Sequence, residues 1–159
     1  MRALIQALMA AAVLLAGGAI LGSYRQTDLA GSPRIIDGDT IVVNGVHVRL
    51  LGIDAPEREQ RCGPMPCGHL ARDALGNLIG PDPVRCAGQG LDRYGRLLAT
   101  CTVKKLDIGR FMVQSGWAVA YLRYSRQYEP EQIDARAHRR GIWATEFEMP
   151  DDWRRRHRK

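Results

Sequence analysis

Apolar residues fall along the chain in runs of different period. Residues 3–22 are almost wholly apolar, with Arg2 before them and Gln6 the one polar interruption. A run with no polar stripe offers no solvent face, so it reads as an N-terminal hydrophobic helix outside the folded domain. It is either a cleaved secretory signal or an uncleaved membrane anchor over 1–23. The positive-inside rule keeps Arg2 in the cytoplasm and exports the rest of the chain, so the expected location is periplasmic or otherwise extracytoplasmic, secreted or tethered. After a linker over 24–33, two apolar-rich runs, Ile35 to Val43 and Val46 to Ile53, flank Asn44-Gly45. Asn-Gly between such runs is the strongest short hairpin signal. Centring the turn there pairs Thr40 with Arg49, Ile41 with Val48 and Val43 with Val46. A second hairpin joins Pro83–Gly90 to Arg96–Val103 around Asp92-Arg93-Tyr94-Gly95, and its register sets Cys86 directly opposite Cys101. His69 to Ile79 has helical spacing and stops at Gly80-Pro81. Leu106–Ser115 and Pro130–Arg140 read as shorter helices, Trp117–Leu122 as extended. Trp117, Ile142 and Trp143 read as core. Five or six short strands with inserted helices predict an α+β class, a small barrel with helices.

Length and composition narrow this little. With 159 residues, 45% hydrophobic and 25% charged, the chain is ordinary globular material for one domain, not a disordered, collagen-like or multi-span membrane protein. A net charge of +6 permits an anionic partner without selecting one. The basic end, Arg154-Arg155-Arg156-His157-Arg158-Lys159 within 147–159, reads as a solvated tail. Export makes disulfides the expected state of the four cysteines. Opposed positions can bring Cys86 and Cys101 within bonding reach, leaving Cys62 with Cys67. The alternative is a zinc site from Cys62, Cys67 and His69, which lacks the repeated short Cys pair of such sites.

Candidate chemistry gathers in two stretches. Asp39 stands in Asp37-Gly38-Asp39-Thr40, an acid where β propensity disfavours one. Asp54 and Glu57 come later, in Gly52-Ile53-Asp54-Ala55-Pro56-Glu57. Arg49 lies on the strand between them and Arg96 opens the strand after the second turn. Carboxylates with nearby carbonyls suit a hard cation, Ca²⁺ or Mg²⁺. A guanidinium fork matches phosphate oxygens, and a further carboxylate can act as general base on water. Strict pleating conflicts with this grouping, because Asp39 faces Leu50 and so points away from Arg49. Both reach one site only if the strand bulges or bends near Gly38. A salt-bridged structural site is the competing reading.

Ile36-Asp37-Gly38-Asp39-Thr40, Val48-Arg49-Leu50-Leu51-Gly52-Ile53-Asp54-Ala55-Pro56-Glu57 and Asp92-Arg93-Tyr94-Gly95-Arg96-Leu97 together resemble the staphylococcal nuclease (thermonuclease) family. Gly116-Trp117-Ala118 and Gly141-Ile142-Trp143 extend the likeness over about 34–145. The resemblance implies a five-stranded OB-fold β-barrel with three helices over 34–146, and a Ca²⁺-dependent phosphodiesterase acting on DNA and RNA. By that likeness Asp39, Asp54 and the Ala55 carbonyl are the Ca²⁺ ligands, with Asp37 and Thr40 supporting them. Glu57 is the general base, and Arg49 and Arg96 clamp the phosphate. Arg93, Tyr94 and Tyr121 meet the nucleotide, and such rings imply a preference for single strands. The family also implies 3′-phosphate products, and a monomer is expected. Membrane association is expected if residues 3–22 stay attached. A catalytically idle OB-fold that binds nucleic acid or another polyanion is the alternative, although the chain keeps Asp39, Asp54, Glu57, Arg49 and Arg96.

Overall fold

The computed structural model describes residues 27–157, so the hydrophobic segment over 1–23 lies outside the described residues. Three antiparallel strands open the fold: β1 (Asp28–Gly31), β2 (Pro33–Ile35) and β3 (Thr40–Val43). β4 (Val46–Leu50) returns along β3 in the expected register, Thr40 opposite Arg49 and Val43 opposite Val46. Asn44 and Gly45 make the turn at φ of 50° and 82°, the left-handed pair that suits the twist of two-residue hairpins. β6 (Val84–Leu91) and β7 (Leu97–Val103) form the second hairpin with Cys86 opposite Cys101. Its register slips by one residue between Gly88 and Gly90, a bulge that tightens the strand's twist. The sheet runs β1-β6-β7-β4-β3-β2, with β4 parallel to β7. Asn44 at the tip of the first hairpin donates to the Ala30 carbonyl of β1 at 3.0 Å, which ties β1 to the β3–β4 end of the sheet and leaves the barrel nearly closed.

Side chains alternate along β7, with Leu97, Ala99, Cys101 and Val103 buried and their neighbours half-buried. They pack with Ile41, Val43, Val48 and Leu50 beneath helix α1 (Cys67–Ile79), which contributes Ala71, Leu75 and Ile79. β5 (Ile53–Asp54) pairs with β9 (Val119–Ala120) in a second small sheet. A second apolar cluster of Cys62, Cys67, Val119 and Ile142, flanked by Trp117 and Trp143, lies under the loop after Glu57. Both disulfides are present, Cys62–Cys67 and Cys86–Cys101. With its two thiols joined and His69 exposed, the zinc alternative has no ligand set.

Several expectations need correction. Five strands and three helices undercount the described residues, which hold nine short strands, four α-helices and a 3-10 turn (Gly141–Ala144). Part of the linker is strand, because β1 has the open edge of β6 to pair with. Leu106–Ser115 begins as β8 (Leu106–Asp107), and helix α2 (Ile108–Gln114) starts only where the Asp107 side chain accepts the Arg110 N–H. α3 spans Glu129–Ala137. The C-terminal end is not a solvated coil: α4 (Pro150–Arg156) has proline at its start, Asp151 and Asp152 in its first turn and Arg154 to Arg156 in its last. That charge order complements the helix dipole at both ends.

Candidate active site

The conflict between pleat and function is resolved by a bend. Residues 37–39 leave the sheet between β2 and β3, so Asp39 is no longer bound by strand parity. The Asp37 carboxylate accepts the Asp39 N–H at 3.0 Å, closing the bend, while the Asp39 carbonyl still accepts the Leu50 N–H at 2.8 Å. Gly38 is required by packing: a Cβ there would stand 2.7 Å from the Ala55 Cβ and 2.8 Å from the Ala71 Cβ. The bend is pressed between β5 and α1, and its tightness aims the Asp39 carboxylate toward β4.

Asp39 and Asp54 are both buried, and one guanidinium joins them. Arg49 pairs with Asp39 Oδ1 through Nη1 and with Asp54 Oδ1 through Nη2, the latter at 2.6 Å. Asp39 Oδ2 accepts the Ala55 N–H at 2.7 Å, and its Oδ1 accepts the Thr40 hydroxyl at 3.0 Å. Thr40 in turn accepts from Arg96 Nη1 in a long contact of 3.4 Å. Arg96 is oriented by Asp92, whose Oδ2 accepts its Nε–H at 2.7 Å. On the other side Arg154 of α4 donates to both oxygens of Asp54 at 2.8 Å and to Glu57 Oε1 at 2.7 Å. The five residues expected to carry chemistry, Arg96, Asp39, Arg49, Asp54 and Glu57, thus form one connected network, with Thr40 and Arg154 as the links.

Burial dominates the electrostatics. Desolvation lifts the Asp39 carboxyl to about 6 against the pull of Arg49, helped by the negative Asp37 beside it. Desolvation likewise raises Asp54, with the Arg154 hydrogen bonds opposing. Burial works against the Asp92 carboxylate too, but the N–H and guanidinium of Arg96 outweigh it and hold that group below its ordinary range.

Glu57 is held by its backbone. Gln60, fully buried, accepts the Glu57 N–H on Oε1 at 3.1 Å and donates its own N–H to the Glu57 carbonyl at 2.8 Å. Its Nε2 donates to the Glu148 carbonyl at 2.7 Å, tying this turn to the chain just before α4. A Cβ on Gly68 would come within 1.9 Å of the Glu57 carbonyl, so the first turn of α1 packs directly on the Glu57 backbone.

The nucleotide-contact candidates sit at the two flanks. Tyr94 is exposed on the second turn; Arg93 donates to its hydroxyl at 2.7 Å, and the Arg96 guanidinium lies 5.5 Å from its ring centre. Tyr121 comes just after β9 and its N–H donates to the Gly52 carbonyl at 2.9 Å. Its phenol is raised by burial and by the negative Asp151 and Asp54 near it. The Tyr94 N–H donates to Asp92 Oδ1 at 2.8 Å, while neither phenol is hydrogen-bonded to the network. The exposed histidines, including His47 and His69, stand apart from it.

Three residues of the site escaped sequence reasoning, among them Asp92, a turn residue by sequence that proves to orient Arg96. Gln60 resembles any loop glutamine until its burial is seen. Arg154 stands in a basic run, yet Pro150-Asp151-Asp152 before it is a helix-start signal that could have marked the segment as structured.

Two buried carboxylates beside backbone carbonyls have the chemistry of hard oxygen donors rather than of soft-metal ligands. Residues 47–145 match the family model described as staphylococcal nuclease homologue, and the chain belongs to that family. The match starts beyond Asp39, so the bend is placed by the structure alone. The chain is 36% identical over 141 residues to a micrococcal nuclease of Shigella flexneri, covering 77% of this chain and 78% of that protein. An uncharacterized endonuclease of Haemophilus influenzae is 37% identical over 130 residues, 77% and 70% of the two chains. The succinoglycan biosynthesis protein ExoI of Rhizobium meliloti is 34% identical over 146 residues, 82% and 76%. Family and relatives together support a nuclease function with nucleic acid as substrate.

Proposed function

We propose that the protein is a Ca²⁺-dependent nuclease that hydrolyses phosphodiester bonds in DNA and RNA and leaves 3′-phosphates. The observation that carries the reading is the single network joining Asp39, Arg49, Asp54, Glu57 and Arg96.

The residues fit a hard divalent ion. Among the described residues no three acidic, histidine or cysteine side chains form a ready metal cluster. Asp39 and Asp54 share Arg49, and burial raises both carboxyls despite their guanidinium partners. These two and the Ala55 carbonyl would hold Ca²⁺, which supplies positive charge to a phosphate oxygen and to water. So small a set of protein donors suits the weak affinities of extracellular sites, about 10⁻⁴–10⁻³ M.

The chain's own groups do the rest. Glu57 accepts the proton of the attacking water. Asp92 holds the Arg96 guanidinium by Nε, leaving its outer N–H groups for phosphate, and Arg49 brings a second guanidinium to the same place. Their charge meets the negative charge that grows on phosphorus oxygens in the transition state. The P–O5′ bond breaks and the 3′ oxygen keeps the phosphate. Tyr94 and Tyr121, at the two flanks, stack on bases, which favours single strands. The OB-fold nuclease domain covers 34–146. The protein acts outside the cytoplasm as a monomer, with residues 1–23 as signal peptide or membrane anchor.

A nuclease gel tests this with wild type and Glu57→Ala, in Ca²⁺ and in EGTA. Cleavage of DNA and RNA in Ca²⁺ is expected, with loss in EGTA and a large drop for the variant. Cleavage that persists in EGTA rejects the ion's role. Binding without cleavage points to an idle binding module.

A further inference from the structure

Arg154 lies outside the span matched by the family and one hundred residues beyond Asp54, yet its guanidinium is seated in the site. Nη1 and Nη2 donate to Oδ1 and Oδ2 of Asp54, each at 2.8 Å, and Nη1 also reaches Glu57 Oε1 at 2.7 Å. This is the two-toothed geometry in which arginine binds a carboxylate most strongly. Asp54 Oδ1 carries Arg49 as well, so both oxygens of that carboxylate are covered by guanidinium N–H groups. The contact is not a chance swing of a long side chain. α4 is held beside the site by the Gln60 Nε2–Glu148 carbonyl bond and by the Arg123–Asp151 ion pair at 3.9 Å.

A divalent ion on Asp54 needs the lone pairs that Arg154 now occupies. We propose that Arg154 is an intrinsic counter-ion of the active site: it neutralises Asp54 and Glu57 in the ion-free protein, must let go for the ion to enter, and thereby sets the ion concentration at which the site is filled. The proposal rests on the Ca²⁺ reading above. It also frees Glu57, since one guanidinium covers the ion ligand and the general base together. Arg154 Nη1 covers Glu57 Oε1 as well as Asp54 Oδ1, so its release uncovers both functions at once.

Calorimetric titration of the full chain with CaCl₂, without nucleic acid, tests the competition. A site open roughly one-tenth of the time loses affinity about tenfold, so Arg154→Ala and Arg154→Gln should bind Ca²⁺ about tenfold more tightly than wild type. Arg155→Ala, a neighbour that pairs with Asp151 and Asp152 at the surface, should bind as wild type does. Unchanged or weaker binding by the folded Arg154 variants overturns the proposal. Hydrogen exchange of wild type needs no variant: Ca²⁺ should speed exchange across 150–157 as α4 loosens, and unchanged or slowed exchange there overturns it too. The two readings fail separately. Ca²⁺-dependent cleavage by wild type with no affinity gain in the variants removes the counter-ion and leaves the nuclease. Tighter Ca²⁺ binding in the variants with no cleavage by wild type removes the nuclease and leaves the counter-ion.

Discussion

Replacing Arg49 by methionine isolates the electrostatic core of the site. Methionine fills much of the space of the arginine stem but brings no charge. Asp54 keeps Arg154; Asp39 loses its one guanidinium partner and retains only the Ala55 N–H and the Thr40 hydroxyl. Removing one partner of a buried ion pair costs about 3–5 kcal/mol. Because Asp54 stays compensated, the lower end, about 3 kcal/mol, applies at pH 8. At pH 5 the penalty shrinks. The Asp39 carboxyl already titrates at about 6, removal of Arg49 raises it further, and below that value the group is neutral and needs no cation. Urea unfolding in EGTA at pH 8 and pH 5 measures both, with the midpoint shift read at constant slope. A loss of less than about 1 kcal/mol at pH 8, the scale of an exposed pair, refutes the reasoning. So does an equal loss at both pH values, because an uncompensated buried charge must respond to its own protonation.

The bend at 37–39 leads to two further outcomes. In EGTA the folded Asp39 carboxyl is raised from 3.8 to about 6, so the native state holds its proton longer than the unfolded chain does, and stability falls as pH climbs through that window. At about 1.4 kcal/mol per unit this one group costs about 3 kcal/mol by pH 7, and denaturation of wild type beside Asp39→Asn should show that gap open between pH 4 and 7. Parallel pH profiles for the two proteins contradict the raised value. Gly38→Ala drives a methyl into the Ala55 and Ala71 Cβ atoms at 2.7 and 2.8 Å. It should destabilise by about 1–3 kcal/mol and lower turnover by tilting Asp39; a normal melting temperature with normal turnover contradicts the packing argument.

What the sequence made legible was local and periodic. Asn44-Gly45 fixes a turn, the turn fixes the register, and the register places Thr40 against Arg49 because side chains alternate strictly along a strand. The same arithmetic brought Cys86 to Cys101, and it held because two one-residue shifts cancel: beside the turn Leu91 faces Leu97 and Gly90 faces Leu98, and the bulge at Gly88–Gly90 then restores the register that sets Cys86 opposite Cys101. Its failure at Asp39 was equally informative. Parity excluded a shared site for Asp39 and Arg49, and the one escape, a bend at Gly38, is what the chain adopts. Strand count was less legible. Segments of two to four residues such as β1, β5, β8 and β9 carry too few positions to show a period, and their pairing is decided by which edges the rest of the fold leaves open.

Long-range polar contacts leave still less trace. Arg154 reads as one cation in a basic run, and nothing in that run separates the arginine that turns inward from Arg155 and Arg156, which pair along the surface. The distinction is geometric. Asp54 and Glu57 present a pair of acids on the loop after β5, Gln60 anchors that loop to Glu148, and a helix starting at Pro150 then brings the residue four places on to the carboxylates. A site with three carboxylates and one inward arginine would carry excess negative charge in a poorly solvated place, and some cation must answer it. The C-terminal helix supplies that cation, so the acidity of the site is what seats Arg154 and with it the chain's last described turn.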